Sequence, residues 1–239
     1  MRIIFVRHGE PDYANDCLTG TGHVQAEACA ERLAGEGITE IYASPCGRAA
    51  ETAEHTARRL NLPVTTLDYM HEISWGGEGI PSEGHPWTLG DALIEAEDFD
   101  FYASDWREHP FFKGNRVTDY DRMIAGEIDR FLLGYGYRRA GTRYFSANGS
   151  DRTIALFSHG GSGACALSHI LSLPFPYVCS VLPYDFTSII IVELPALPAG
   201  YVRPRLELFN DCAHIHRDPR GPLLQQKPDG EDQGAGYGQ

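Results

Sequence analysis

Two rhythms of apolar and polar positions alternate along this chain. Residues 3–6, Ile-Ile-Phe-Val, form an unbroken apolar run of β-forming residues, the pattern of a strand covered on both faces. GHVQAEACAERLAG (22–35) carries helix formers and ends at Gly35, a helix-terminating cap. ITEIYAS (38–44) alternates and predicts a second strand. GRAAETAEHTARRL, from Gly47 to Leu60, is Ala-rich and helical, opened by Ser44-Pro45, and PVTTL (63–67) supplies a third strand. The rhythm breaks over residues 76–118: GGEGIPSEGHPWTLGD is rich in Gly and Pro, and the stretch to Val117 is aromatic and acidic without a period. It returns with the amphipathic helix TDYDRMIAGEIDRFLLGYG, the buried strand RTIALFSHGG, and the helix SGACALSHILSL. TSIIIVEL and PRLELFN complete the sheet.

Strands alternating with helices predict an α/β fold of three layers, a mostly parallel central sheet flanked by helices. The expected organisation is a single domain over residues 1–225 in which 76–150 form an inserted lid or cap region. Residues 226–239, QKPDGEDQGAGYGQ, form a polar C-terminal tail of disordered composition. A formal net charge of −13 argues against nucleic acid or an anionic membrane as partner, and makes any cluster of arginines conspicuous. Ile3 to Val6 is too short for a secretory signal, and no apolar run reaches bilayer length. The six cysteines (Cys17, Cys29, Cys46, Cys165, Cys179, Cys212) show no CxxC pair, so they are expected to be reduced thiols of a cytoplasmic protein without a metal signature. Oligomeric state is not encoded in any pattern visible here.

Four short stretches carry chemistry. Arg7-His8-Gly9 follows the first apolar strand, and in open α/β sheets ligands gather beyond the carboxyl ends of strands. A histidine there is a nucleophile, a general base or a turn residue, and the adjoining guanidinium is a fork for phosphate or carboxylate. In SPCGRAAETA, Arg48 stands near a helix N-terminus, where free N–H groups already favour an anion; the plain alternative is a surface pair with Glu51 or Glu54. LFSHGG repeats the first geometry, since His159 ends an apolar strand and glycines follow. In YMHEISWGG, Glu72 follows the third strand as either a proton donor or an ordinary surface carboxylate, and with Trp at position 75 there is no HExxH zinc motif.

Taken in order, RHGE, LTGTGHVQA, SPCGRAAETA, HEISWG and SHGG resemble the histidine phosphatase superfamily, the phosphoglycerate-mutase-like fold, over residues 1–76 and 150–212. The resemblance implies that His8 is the nucleophile, that Arg7, Arg48 and His159 form the phosphate pocket, and that Glu72 is the general acid. It implies supporting phosphate contacts from Thr19 and Gly160, a small phosphomonoester as substrate, and no metal or other cofactor. The family often carries Asn seven residues beyond the first Arg; that position is Ala14 here, and Asn15 stands one place later. The basic residues and loop that mark true mutases are not recognisable in residues 76–118. The residue types suit phosphoryl transfer, where positioning and a positive wall do most of the work. A protonated or hydrogen-bonding His159 would join the two arginines in that wall, and neighbouring cations would keep His8 neutral and nucleophilic.

Three other readings compete. A serine hydrolase would use Ser162, with Asp185 or Asp211 and His214 in Ser-acid-His order, but GGSGA is not GxSxG and this leaves RHG and Arg48 unexplained. A phosphotransfer isomerase of the phosphoglycerate mutase type would use the same residues with water excluded. A non-catalytic phosphate-binding module would not need Glu72. His214 and His216, spaced i, i+2, would share a strand face beside Asp211 and Cys212; a strand end is preferred there to a metal site. Trp87, Trp106, Phe111, Phe112, Lys113 and Arg116 are expected to build the leaving-group pocket and to favour a ring-bearing ester.

Overall fold

The structure is a computed structural model, and it describes residues 1–76, 100, 105–109 and 112–216. Strand β1 (Arg2–Arg7) leads into a minimal hairpin, β2 (Pro11–Asp12) and β3 (Cys17–Leu18). Helix α1 (Gly20–Leu33), β4 (Glu40–Ala43), α2 (Gly47–Leu60) and β5 (Val64–Thr66) follow. Then come α3 (Arg116–Gly134), β6 (Tyr137–Ala140), β7 (Arg143–Ala147), β8 (Thr153–Ser158), α4 (Gly160–Leu171) and α5 (Phe175–Val181). The described chain closes with β9 (Ile189–Glu193), β10 (Ala199–Val202), β11 (Arg205–Asp211) and the one-turn α6 (Ala213–His216).

The main sheet runs β11-β9-β1-β8-β4-β5. Pairing is parallel for β1 with β8, β8 with β4 and β4 with β5, and antiparallel only where β9 meets β1 and β11. The central strands need apolar side chains on both faces, which is why IIFV and TIALF read as unbroken runs. Along β1, Ile3 and Phe5 enter one core while Ile4 and Val6 enter the other. The first core is closed by α3 (Ile124, Ile128, Leu132) and α4 (Cys165, Leu167, Ile170), the second by α1 (Cys29, Leu33) and α2 (Ala53, Ala57). The three layers expected from the alternation of elements are therefore present.

Differences from the sequence expectations have local causes. Helix α1 begins at Gly20, earlier than the helix formers suggest, because Thr19 caps it by accepting the Gly22 N–H at 3.0 Å, and Ala34 rather than Gly35 is the C-terminal cap. His214 and His216 lie on α6, not on a strand face, because the chain turns helical where Asp211 Oδ1 accepts the Ala213 N–H at 2.9 Å. Trp106 and Phe112 are both buried, Trp106 stacking on Phe175 at 5.3 Å and meeting Phe112 edge-on at 5.1 Å, and Trp106 and Phe175 also line a cleft with Arg107, Asp121 and His169. Lys113 pairs with Glu108 at 3.0 Å. Of the block 76–150, α3 packs against α4, while β6 and β7 form a small antiparallel sheet with β10. Trp87, Phe111 and the tail 226–239 lie outside the described residues. Among the described residues, no single helix is long and apolar enough to cross a membrane.

Candidate active site

Parallel neighbours β1 and β8 are paired in register from Arg2 with Thr153 to Arg7 with Ser158. The residues that follow, His8 and His159, thus leave the same edge of the sheet side by side, with ring centroids 5.2 Å apart. The turn after β1 is held from every side. The His8 N–H donates to Ser158 O at 3.0 Å, the Gly9 N–H to Thr52 Oγ1 at 3.1 Å, and the Glu10 N–H to Gln25 Oε1 at 2.7 Å. A Cβ at Gly9 would fall 2.7 Å from Gly22 O, so the glycine of RHG is required by the close passage of α1.

His8 is buried, and its Nδ1 stands 2.7 Å from Gly9 O. A carbonyl only accepts, so Nδ1 carries the proton and Nε2 presents a lone pair. Burial, then the Arg7 and Arg48 charges, press the His8 pKa well below the ordinary value, against the opposing pull of Gly9 O. His159 is likewise buried, and Ser44 Oγ, delivered by the end of β4, lies 2.7 Å from its Nε2. Burial first, then His8, Arg48 and Arg7, push its pKa well down. Of the two forms expected for His159, this environment favours the neutral, hydrogen-bonding one.

The arginines arrive from different elements. Arg7, the last residue of β1, lies 4.3 Å over the Phe186 ring and donates from Nη1 to Tyr184 O at 2.7 Å. Arg48, in the first turn of α2, is buried and pairs through Nη1 with Asp16 rather than with Glu51 or Glu54. Its guanidinium carbon lies 5.5 Å from the Tyr13 ring centre. Arg7 Nε, Arg48 Nε and His159 Nδ1 are all buried without a hydrogen-bond partner among the described residues. Three donors of the same charged cluster are therefore open to an acceptor.

Glu72 reaches the same region from the segment after β5. Its Oε1 accepts the Ile73 N–H at 2.9 Å and the Ser162 N–H at 3.1 Å, placing the carboxyl over the N-terminal turn of α4. Burial raises its pKa, and those two N–H donors with Arg7 and Arg48 oppose the rise. A Cβ at Gly161 would lie 2.4 Å from Ile73 Cγ1 and 2.8 Å from Glu72 Oε1, so this glycine makes room for the carboxyl.

Gly160 is buried and opens α4 directly behind His159. Thr19 is engaged elsewhere: besides capping α1, its hydroxyl donates to Glu10 Oε1 at 2.7 Å. Asn15 serves its own turn, donating from Nδ2 to Asp12 Oδ2 at 2.7 Å. The serine-hydrolase triad is not assembled. Ser162 Oγ is buried and donates to Met70 O at 3.1 Å, while His214 Nε2 meets Thr187 Oγ1 at 3.1 Å. Asp185 pairs with Asn210 at 2.8 Å and Asp211 with Arg32 at 3.0 Å. The sequence reading passed over Asp16, Ser44, Thr52, Tyr184 and Phe186. Ser44 stood inside the SPCGR motif, whereas the loop bearing Tyr184 and Phe186 carried no signal.

The family model described as histidine phosphatase superfamily (branch 1) matches residues 3–122. The chain belongs to this superfamily. Arg7, His8, Arg48 and Glu72 lie inside the matched span of this superfamily member, and His159 lies beyond it. A probable phosphoglycerate mutase, GpmB, of Yersinia enterocolitica is 27% identical over 235 residues, covering 90% of this chain and 95% of its own. Among solved structures, the phosphoserine phosphatase of Entamoeba histolytica in complex with 3-phosphoglyceric acid superimposes with a TM-score of 0.61 at 22% identity, over 89% of this chain and 98% of its own. A mycobacterial glucosyl-3-phosphoglycerate phosphatase gives a TM-score of 0.59 at 22% identity, over 87% and 98%. The structural likenesses establish a shared fold between those phosphatases and this superfamily member.

Proposed function

We propose that the protein is a metal-independent phosphoric monoester hydrolase of the histidine acid phosphatase type, acting on a small-molecule phosphomonoester through a phosphohistidine at His8. The observation that carries this reading is the set of unpaired buried donors, Arg7 Nε, Arg48 Nε and His159 Nδ1, beside a neutral His8 whose Nδ1 proton faces Gly9 O, which leaves the lone pair on Nε2. Phosphoryl oxygens are acceptors of the required kind, and the two guanidiniums supply the positive wall that phosphoryl transfer needs. His8 Nε2 attacks phosphorus, the ester P–O bond breaks, and Glu72 gives its proton to the departing oxygen. Water then attacks the phosphohistidine, its proton passes to the Glu72 carboxylate, and inorganic phosphate leaves.

A second reading, transfer of the phosphoryl group back to a sugar acid, rests on the similarity to the probable phosphoglycerate mutase. The two differ in whether water reaches the phosphohistidine. The deciding experiment is a panel of aryl, alkyl and sugar phosphates without added metal, reading inorganic phosphate. Release from several esters supports the hydrolase. Retention of the label on His8 with return to a phosphoglycerate, and no free phosphate, would replace it by the mutase.

Gly161→Ala tests the placement of Glu72. The added methyl overlaps Ile73 and Glu72 Oε1, so turnover of alkyl esters is expected to fall about 100-fold, as displacements near 1 Å do. Denaturant unfolding should show a loss of about 1–3 kcal/mol, the usual cost of overpacking. Unchanged turnover with lost stability would separate this glycine from the chemistry.

A further inference from the structure

The anion seat expected at the start of α2 is already filled by this chain's own carboxylate. Asp16 Oδ2 accepts the Gly47 N–H at 2.8 Å, and its Oδ1 pairs with Arg48 Nη1. The contact is built into the β2–β3 turn rather than left to a mobile side chain. Asp12 Oδ1 accepts the Ala14 and Asn15 N–H groups at 3.0 and 3.2 Å. Asp16 then takes a left-handed φ of 49°, and its backbone oxygen comes so near α2 that a Cβ at Gly47 would lie 2.1 Å away. Tyr13 of the same turn covers the Arg48 guanidinium. Arg48 nevertheless keeps its buried Nε unpaired, so one side of the guanidinium is bound to Asp16 and a donor remains for a ligand.

We propose that Asp16 is a specificity-determining residue of the phosphate pocket: its carboxylate offsets the charge of Arg48, so the pocket favours a singly charged phosphoryl anion over a doubly charged one. This rests on the reading of Arg7 and Arg48 as the phosphate-holding pair. With Asp16 in place, the two guanidiniums and one carboxylate leave one net positive charge on these three groups. Without it they would present two, matched to a dianion. An opposite charge in contact with a binding group is felt strongly at such range, although half-exposure of Asp16 weakens it through solvent screening. Asp16 touches Arg48 rather than the reacting atoms in this structure, so the effect is on which anion is held.

The test is titration calorimetry with sulfate, a dianion across the neutral range, and methyl sulfate, its singly charged ester. Wild type, Asp16→Asn and Asp12→Asn are compared, with thermal unfolding to show that each is folded. Asp16→Asn keeps an oxygen for the Gly47 N–H and removes the charge. It is expected to bind sulfate about tenfold tighter, with a much smaller change for methyl sulfate. Asp12→Asn, which removes the same charge from the same turn without touching Arg48, is expected to leave the sulfate-to-methyl-sulfate ratio unchanged. Sulfate binding to Asp16→Asn no tighter than to wild type, undetectable binding to both included, would overturn the proposal and make Asp16 a mere holder of Arg48. An equal gain in Asp12→Asn would overturn it too, by assigning the effect to surface charge. Aryl phosphate turnover by the wild type, measured alongside, reads the hydrolase assignment separately, because the sulfate comparison does not depend on it.

Discussion

Replacing His8 by alanine is expected to lower turnover of every phosphate ester by about four to six orders of magnitude, the loss typical of removing a nucleophile from a catalytic unit. Phosphate affinity should change far less, because Arg7, Arg48 and His159 remain. The geometry makes the expectation specific. Gly9 O holds the Nδ1 proton at 2.7 Å, the Ser158 carbonyl fixes the backbone at 3.0 Å, and the ring is buried. His159 Nε2 is engaged by Ser44, so its Nδ1 is the proton-bearing donor when Ser44 supplies that bond. Intact-protein mass spectrometry after acid quench during turnover should show a phosphorylated wild type and an unmodified His8→Ala. Turnover undiminished in His8→Ala would remove the phosphohistidine from the mechanism altogether.

Much of this arrangement was legible because buried parallel strands announce themselves. IIFV and TIALF are apolar on both faces, and each ends at a histidine and a glycine, so two similar events one sheet position apart marked the edge where ligands gather. Glu72 and Arg48 were readable as members of ordered motifs, not as isolated residues. What the pattern hid falls into three kinds. Strands β6 and β7 carry Arg138, Arg139 and Arg143 on a partly exposed small sheet, and such strands lack the apolar run that signals a central one. The first turn of α1 holds a glycine at 22 because a Cβ there would lie 2.2 Å from Glu10 O, a tertiary demand with no local trace. The supporting bonds are the third kind: Ser44 and His159 meet across 115 positions, and Gly9 and Thr52 across 43. One hydroxyl among many carries no mark of such a partner. One error runs the other way: the i, i+2 spacing of His214 and His216 suggested a strand where a side-chain cap starts a helical turn.

Glu72→Gln is expected to separate esters by their leaving groups. An alkoxide needs a proton as it departs, so alkyl phosphates should lose about 10²- to 10⁴-fold in kcat, whereas 4-nitrophenyl phosphate, whose phenolate leaves unaided, should lose much less. With that ester the second step becomes slow instead, because the carboxylate that would take the proton from attacking water is gone, and phosphohistidine should accumulate in a burst. The pH dependence follows from the two shifts. An ordinary glutamate ionises near 4.5 and an ordinary histidine near 6.5, so at ordinary values the acid would be protonated only where the nucleophile is protonated as well. Burial moves Glu72 up and His8 down, with Arg7 and Arg48 adding to the fall of His8, and both shifts increase the share of the protein in which a protonated carboxyl faces a neutral imidazole. In the wild type, alkyl ester turnover should fall on the basic side as Glu72 ionises and on the acid side as His8 protonates; Glu72→Gln should lose the basic limb alone. Stability carries the same signature with its own sign. Because Glu72 is harder to ionise folded than unfolded, its contribution is fully present below about 4.5 and is lost as pH rises through the raised value. Glutamine retains an oxygen for the Ser162 and Ile73 N–H groups without that charge, so the melting temperature of Glu72→Gln should exceed that of the wild type increasingly as pH is raised from acid to neutral. Equal losses for both ester classes together with an unaltered basic limb would show that Glu72 shapes the pocket and transfers no proton.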